Sequence, residues 1–210
     1  MAEQIFPTKG NLIKAKRQLR QAMMGYELMD RKRNILVREM VSLTDEAKEL
    51  RSTIESTYSE AYKALAYANI TLGVVSDLAN TIPVENSLKL SVRSVMGVEL
   101  PKITADIEPV DRPIYALGST NSSFDYAYVC FNKAKEITVR LAEVENSIYR
   151  LAIAIKKTQK RANALKNIMI PRFKEQVHFI SNALEEKERE EFSRQKVIKR
   201  RKTRASSRKY

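Results

Sequence analysis

The sequence predicts an all-α protein in which two long helices pair antiparallel as a left-handed coiled coil, with a short irregular or β-hairpin insert at the distal end. Three observations carry that prediction. Gly 5 and Pro 6 together make about 5% of 210 residues, where roughly 12% is usual, so few turns are available. No glycine or proline interrupts the chain between Gly25 and Gly73, and after Gly118 only Pro171 does. Finally, apolar residues recur at alternating spacings of three and four through both uninterrupted stretches.

The first helix is expected over 8–79. Its series is Leu12, Ala15, Leu19, Ala22, Tyr26, Met29, Arg33, Leu36, Met40, Leu43, Ala47, Leu50, Ile54, Thr57, Ala61, Ala64 and Ala68, broken only by Arg33 and Thr57. A mean period of 3.5, slightly under the 3.6 of a straight helix, keeps such a seam in register only when two helices wind around each other. The insert, 80–121, collects Pro83, Pro101, Pro109 and Pro113 with Gly97 and Gly118. Within it Leu88, Leu90 and Val92 alternate with Lys89, Ser91 and Arg93 as in a strand, and Val98-Glu99-Leu100 reads as its return. Met96-Gly97 is either the turn or, with a turn further on, a bulge.

The second helix, 122–196, carries the matching series Ala127, Cys130, Ala134, Ile137, Leu141, Val144, Ile148, Leu151, Ile155, Thr158, Ala162, Leu165 and Met169, with Thr158 the sole exception. Two spacings of four then follow, Met169 to Phe173 to Val177, across Pro171. Proline deletes a helical hydrogen bond and crowds the carbonyl four residues earlier, so a local bend or unwinding is expected there. At 1.5 Å per residue each helix would be about 100 Å long. Helices of that length need each other as partners, and one connection between two nearly equal lengths makes the pair antiparallel. Residues 197–210 read as a flexible basic tail.

The same residues exclude several chemistries. No glycine-rich loop followed by Lys-Ser or Lys-Thr is present to cradle a phosphate. His178 is the only histidine and has no ligand partners at metal spacing, while Cys130 falls on the seam as a small hydrophobe. One cysteine allows no internal disulfide and suits a reducing compartment, and no apolar run approaches the ~18 residues that span a bilayer. The protein reads as cytosolic, without metal, cofactor or independent catalytic activity.

Net charge is +13, but it is concentrated at the ends: residues 1–33 hold eight bases and three acids, residues 34–191 hold 21 and 22, and residues 192–210 hold nine and none. A basic stripe along a folded face is the commoner nucleic-acid footprint. An antiparallel pair brings both basic ends together. Two classes stay open on these residues: a basic coiled coil that binds nucleic acid or an anionic membrane, and a helical adaptor.

Pro7-Thr8-Lys9 followed by Leu12, Leu19, Gly25, Leu28, Lys32-Arg33 and Leu36 resembles the N-terminal helix of the D subunit of the V/A-type ATPases and ATP synthases. Met96-Gly97-Val98 with Leu100-Pro101 is similar to that family's central segment. Lys160-Arg161-Ala162-Asn163-Ala164-Leu165, Ile170-Pro171, Leu184-Glu185-Glu186 and Glu188-Arg189-Glu190 resemble its most recognisable stretch. The likeness runs from residue 7 to about 196. Met23-Met24, Asp30-Arg31 and the extended tail 199–210 depart from it.

What the resemblance implies is a non-catalytic central rotor shaft on the cytoplasmic face of a membrane. Its coiled coil would penetrate a hexamer of catalytic and nucleotide-binding subunits, with a small central-stalk subunit and a membrane-rotor adaptor as further partners. It implies no cofactor, no nucleic acid and no direct membrane insertion. Candidate partner contacts are Lys9, Lys16, Arg20, Lys32, Arg161, Arg189, Arg194 and Lys196, with Arg93, Met96, Gly97 and Val98 in the insert and Pro171 at the bend.

Overall fold

The computed structural model describes residues 6–84, 86–105, 114–115 and 117–206. Its elements in order are α1 (Lys9–Leu72), α2 (Ser76–Ala79), β1 (Leu88–Val95), β2 (Val98–Ala105), a 3₁₀ turn (Leu117–Ser119), α3 (Ser122–Ala164), a π-turn (Leu165–Met169) and α4 (Ile170–Ser206). The expected architecture, a long helical hairpin with a small β insert, is the one observed. Two compact units divide the chain: residues 32–157, and residues up to 31 together with those from 158 onward.

Helix boundaries follow from capping. Thr8 Oγ1 accepts from the Asn11 amide at 3.2 Å, and Asn121 Oδ1 accepts from the Phe124 amide at 3.1 Å, so each long helix begins where a side chain satisfies a free N–H. The first helix stops at Leu72 rather than 79 because Gly73 takes φ +80° while its amide still bonds to Asn69 O at 3.0 Å, a left-handed helix end that glycine adopts without strain.

Within residues 32–157, α1 and α3 run antiparallel. Leu36 meets Leu151, the Tyr58 hydroxyl lies 3.0 Å from Thr138 Oγ1, and Asn121 Nδ2 donates to Thr71 Oγ1 at 2.8 Å. The buried faces are lined by small residues, Ala47, Ala61, Ala64 and Ala68 on α1 and Ala127, Cys130 and Ala134 on α3. Small side chains let two helix axes approach closely. Every buried residue described on α1 belongs to the three-four series. On α3 the series slips once, with Ser147 buried where Ile148 was expected, and the exceptional Thr158 is buried too. Cross-helix bonds flank the seam: Arg51 to Glu145 at 2.6 Å and Arg140 to Glu46 at 2.7 Å, with Tyr126 donating to Glu60. Next to the α1–α3 connection, Ala68, Val75, Tyr115 and Phe124 form a closed cluster, in which the Tyr115 hydroxyl donates to Asp125 at 2.6 Å.

The insert departs from expectation in position and in orientation. It leaves α1 near Leu72, but its hairpin folds back along the helices until Leu100 is buried between Leu36 and Leu151. Arg93 then reaches Glu39 at 2.6 Å, the Ile103 amide donates to Glu143 at 2.9 Å, and Arg150 donates to the Glu99 carbonyl at 3.1 Å. The strands pair antiparallel with Val95 opposite Val98. Met96-Gly97 is therefore a two-residue turn and not a bulge, with φ +50° and +72°. Such a turn needs positive φ at both positions and matches the twist of the strands. The side chains facing the helices are those in phase with Arg93, Val95, Val98 and Leu100. Leu88, Leu90 and Val92, the apolar alternation that announced the strand, point outward.

In the other unit, Ala15, Ala22, Ala162 and Ile180 are buried. The π-turn immediately precedes Pro171: the Ile170 amide bonds to Leu165 O, five residues back. One extra residue per turn absorbs the doubled spacing of four and frees the carbonyl that the proline ring would crowd. Gly25 lies opposite, where an added Cβ would sit 3.7 Å from Leu165 Cδ1. Helix α4 continues to Ser206, through residues expected in a loose tail from 197. The remainder of that tail, 207–210, lies outside the described residues.

Candidate functional site

Among the described residues no group of three or more metal-ligating side chains occurs. His178 is exposed and its Nδ1 lies 3.2 Å from Asn182 Nδ2. Cys130 is buried in the seam. A groove of about 450 Å³ lined by Glu60, Lys63, Tyr67, Ser122 and Tyr126 is open to solvent. The Tyr126 phenol there is pushed up to about 12, first by its hydrogen bond to Glu60. Burial, then Asp125, raises Tyr115 further. Both shifts hold a phenol protonated as a structural donor. Neither supplies a base or nucleophile near neutral pH.

What remains is surface, and it lies in two places. The first is formed by the start of α1 and by α4. Lys9 pairs with Glu188 at 3.1 Å, bringing the two basic ends together within that unit. From Glu185 to Lys202 every residue of α4 is exposed. The eight cations expected to contact partners divide into two sets. Lys9, Arg189 and Arg194 are held in local pairs, the latter two with Glu185, Glu186 and Glu190 of their own helix. Lys16, Arg20, Arg161 and Lys196 are exposed and Lys32 half-buried. An exposed pair contributes little, so the paired cations remain available to a stronger acidic partner.

The second surface is the hairpin. Arg93 is engaged by Glu39 and so anchors the hairpin to α1, while Met96 and Gly97 project as an exposed turn and Val98 packs inward. Sequence reasoning did not identify Glu39, Glu143 and Arg150, which hold the hairpin in place. Their signal would have been a pairing across 40 to 54 residues, invisible to local periodicity. It also left out the outward row Leu88, Leu90 and Val92.

The likeness to known proteins runs along nearly the whole chain. The family model for the ATP synthase D subunit matches residues 11–200. The chain belongs to that family. It is 47% identical over 197 residues to the V-type ATP synthase D subunit of Thermotoga neapolitana, covering 93% of this chain and 97% of the relative. The A-type ATP synthase D subunits of Thermococcus sibiricus and of Pyrococcus furiosus are each 37% identical over 198 residues, covering 92% of both chains. Membership makes the chain a component of a V/A-type ATPase complex, and its partners are other subunits of that complex. No described helix is long and apolar enough to cross a membrane. The family resemblance read over residues 7 to about 196 of the sequence holds on these matches.

Proposed function

We propose that this chain is the central-stalk rotor shaft of a V/A-type rotary ATPase or ATP synthase, lying on the cytoplasmic side of the membrane. In this reading it couples nucleotide hydrolysis or synthesis in the catalytic hexamer to proton or sodium translocation by the membrane rotor. The observation that carries it is a family match along 11–200 combined with alanine-lined antiparallel helices that hold no glycine between Gly25 and Gly73 or after Gly118. A shaft has to transmit torque, and closely packed paired helices resist twisting. It also has to present a different face to each catalytic interface. The basic end, the docked hairpin and the π-turn before Pro171 make those faces unlike. Hydrolysis would change which interface binds which face best, so the chain works through differential contacts between states.

The basic end, including Arg161, Arg189, Arg194 and Lys196, is the part read as entering the hexamer. The insert is read as serving the small stalk subunit and the membrane-rotor adaptor. The experiment is purification through a tag on this chain. Recovery of one copy per nucleotide-hydrolysing hexamer supports the shaft. A preparation free of hexamer that binds bare DNA or anionic vesicles in a salt-sensitive way would replace it with the basic coiled-coil alternative.

A further inference from the structure

The outer edge of the hairpin carries binding capacity that the described residues leave unused. Next to a two-residue turn, Val95 and Val98 form a hydrogen-bonded pair, and hydrogen-bonded and open pairs alternate from there along the register. The main-chain N–H and C=O groups of Leu88, Leu90, Val92 and Ser94 therefore point away from β2. Strand β2 obeys the same parity on its own outer edge. The Glu99 carbonyl turns out to Arg150 and the Ile103 amide to Glu143, and between them stands Pro101, which has no N–H to satisfy.

Among the described residues the edge of β1 has no such cover. Among the described residues, no partner beyond the ladder meets residues 88, 90, 92 or 94. Side chains on the same row are open as well, with Leu88 at 49%, Leu90 at 73% and Val92 at 59% exposure. Natural sheets usually guard an exposed edge with a proline, a bulge or charged side chains; β1 has neither proline nor bulge, and of its two charges Arg93 is engaged by Glu39. The strands hold three cations, Lys89, Arg93 and Lys102, against one acid, Glu99. With Arg93 taken by Glu39, Lys89 and Lys102 stand exposed on the face opposite Leu90.

We propose that β1 accepts an added strand: an extended segment of another subunit of the ATPase pairs with residues 88–94. This segment is apolar at the alternate positions beside Leu88, Leu90 and Val92, and acidic at the position beside Lys89. A strand fits this edge better than a helix does. A helix satisfies its own backbone and would cover the open N–H and C=O groups without pairing them, which is unfavourable for each group so buried. An extended segment supplies the missing bonds and the apolar contacts together. The inference rests on the reading of the chain as a stalk subunit.

The test uses the tagged full chain in its assembled complex. Three variants are compared: Ser94→Pro, which removes one edge amide and leaves the apolar row untouched; Leu90→Ser, which does the reverse; and Ser94→Ala as control. Subunit composition is read by native mass spectrometry across a dilution series, and amide exchange at 88, 90 and 92 is read in the free chain and in the complex. Strand addition predicts at least tenfold slower exchange at those amides in the complex. It also predicts at least fivefold lower occupancy of one and the same subunit in both Ser94→Pro and Leu90→Ser, with Ser94→Ala unaffected. Unchanged exchange overturns the proposal, and so does an effect of Leu90→Ser without one of Ser94→Pro, which would mean a helix or loop resting on the apolar row. Should Ser94→Pro lose the protected Ile103 amide in the free chain, the exchange comparison on the unmodified protein decides alone. Failure of the unmodified chain to bring down a hexamer refutes the stalk reading, whereas an intact complex indifferent to Ser94→Pro refutes only the added strand.

Discussion

Leu100→Ala should release the hairpin while leaving the helices paired. Leu100 is 1% exposed between Leu36 and Leu151, which are both fully buried. Val95 and Val98 only border that cluster. A Leu→Ala change at a closed site is destabilising by about 2–5 kcal/mol. The ion pair that helps to hold the hairpin is weak by comparison. Arg93 with Glu39 is an ion pair between side chains 53% and 29% exposed, and such a pair adds roughly 0–1 kcal/mol. A two-stranded hairpin is at best marginally stable alone, so docking depends mainly on this leucine. At RT near 0.59 kcal/mol, the loss corresponds to an increase of about 30-fold to several thousandfold in the open population. Amide exchange at Ile103, whose N–H is held by Glu143, should accelerate accordingly, while exchange at Ala61, Ala64 and Ala134 in the seam stays unchanged. Leu90→Ala, at a 73% exposed position, should leave both sets where they were. If Leu100→Ala accelerated seam and hairpin amides equally, the hairpin and the helices would be one cooperative unit. If Ile103 changed less than threefold, the docking energy would lie elsewhere.

Four further outcomes are expected. Cysteines at Leu36 and Leu151, in a Cys130→Ala background, should crosslink within one chain, and crosslinks found only between chains would mean a parallel dimer and end the shaft reading. Deleting residues 83–118 should leave helix content by circular dichroism largely intact yet impair assembly with the stalk partners or the stimulation of hydrolysis; a deletion that couples normally would make the insert a mere connector. Neutral replacement of Arg200, Arg201, Lys202 and Arg204 should weaken assembly more at low than at high ionic strength, with turnover of assembled complexes nearly unchanged, whereas loss of coupling at every salt concentration would make them a specific torque contact. Tyr126, with its folded pKa raised to about 12 from 10.0, favours folding below pH 10 and loses that contribution as pH rises toward 12; ultraviolet titration of the wild type against Tyr126→Phe should show one phenol ionising late, and ionisation at pH 10 would refute the Glu60 bond.

The paired helices were legible in the sequence because helix pairing is written in local periodicity. Each residue that α1 buries, from Ala15 to Ala68, sits on a three-four repeat that any short window reveals. Gly73 ended the first helix by an equally local rule of backbone conformation, though the expected boundary of 79 ran past it, and the doubled spacing across Pro171 marked the neighbourhood of the π-turn. The surface at the basic end was legible in part. Charge counts located it, but they did not show that Arg189 and Arg194 lean on Glu185, Glu186 and Glu190 of their own helix.

The hairpin was legible only as a hairpin. Its alternation shows that one face is apolar, and the ordinary expectation is that this face turns inward. In the structure the inward face is the other one, because Leu100 fits between Leu36 and Leu151, and because Glu39, Glu143 and Arg150 match groups on that side and along that edge. Those partners lie 40 or more residues away along the chain. Period two in a strand distinguishes two faces without assigning either to the core. The assignment belongs to whichever distant surface offers the better set of contacts, and only the tertiary structure brings that surface to the strand.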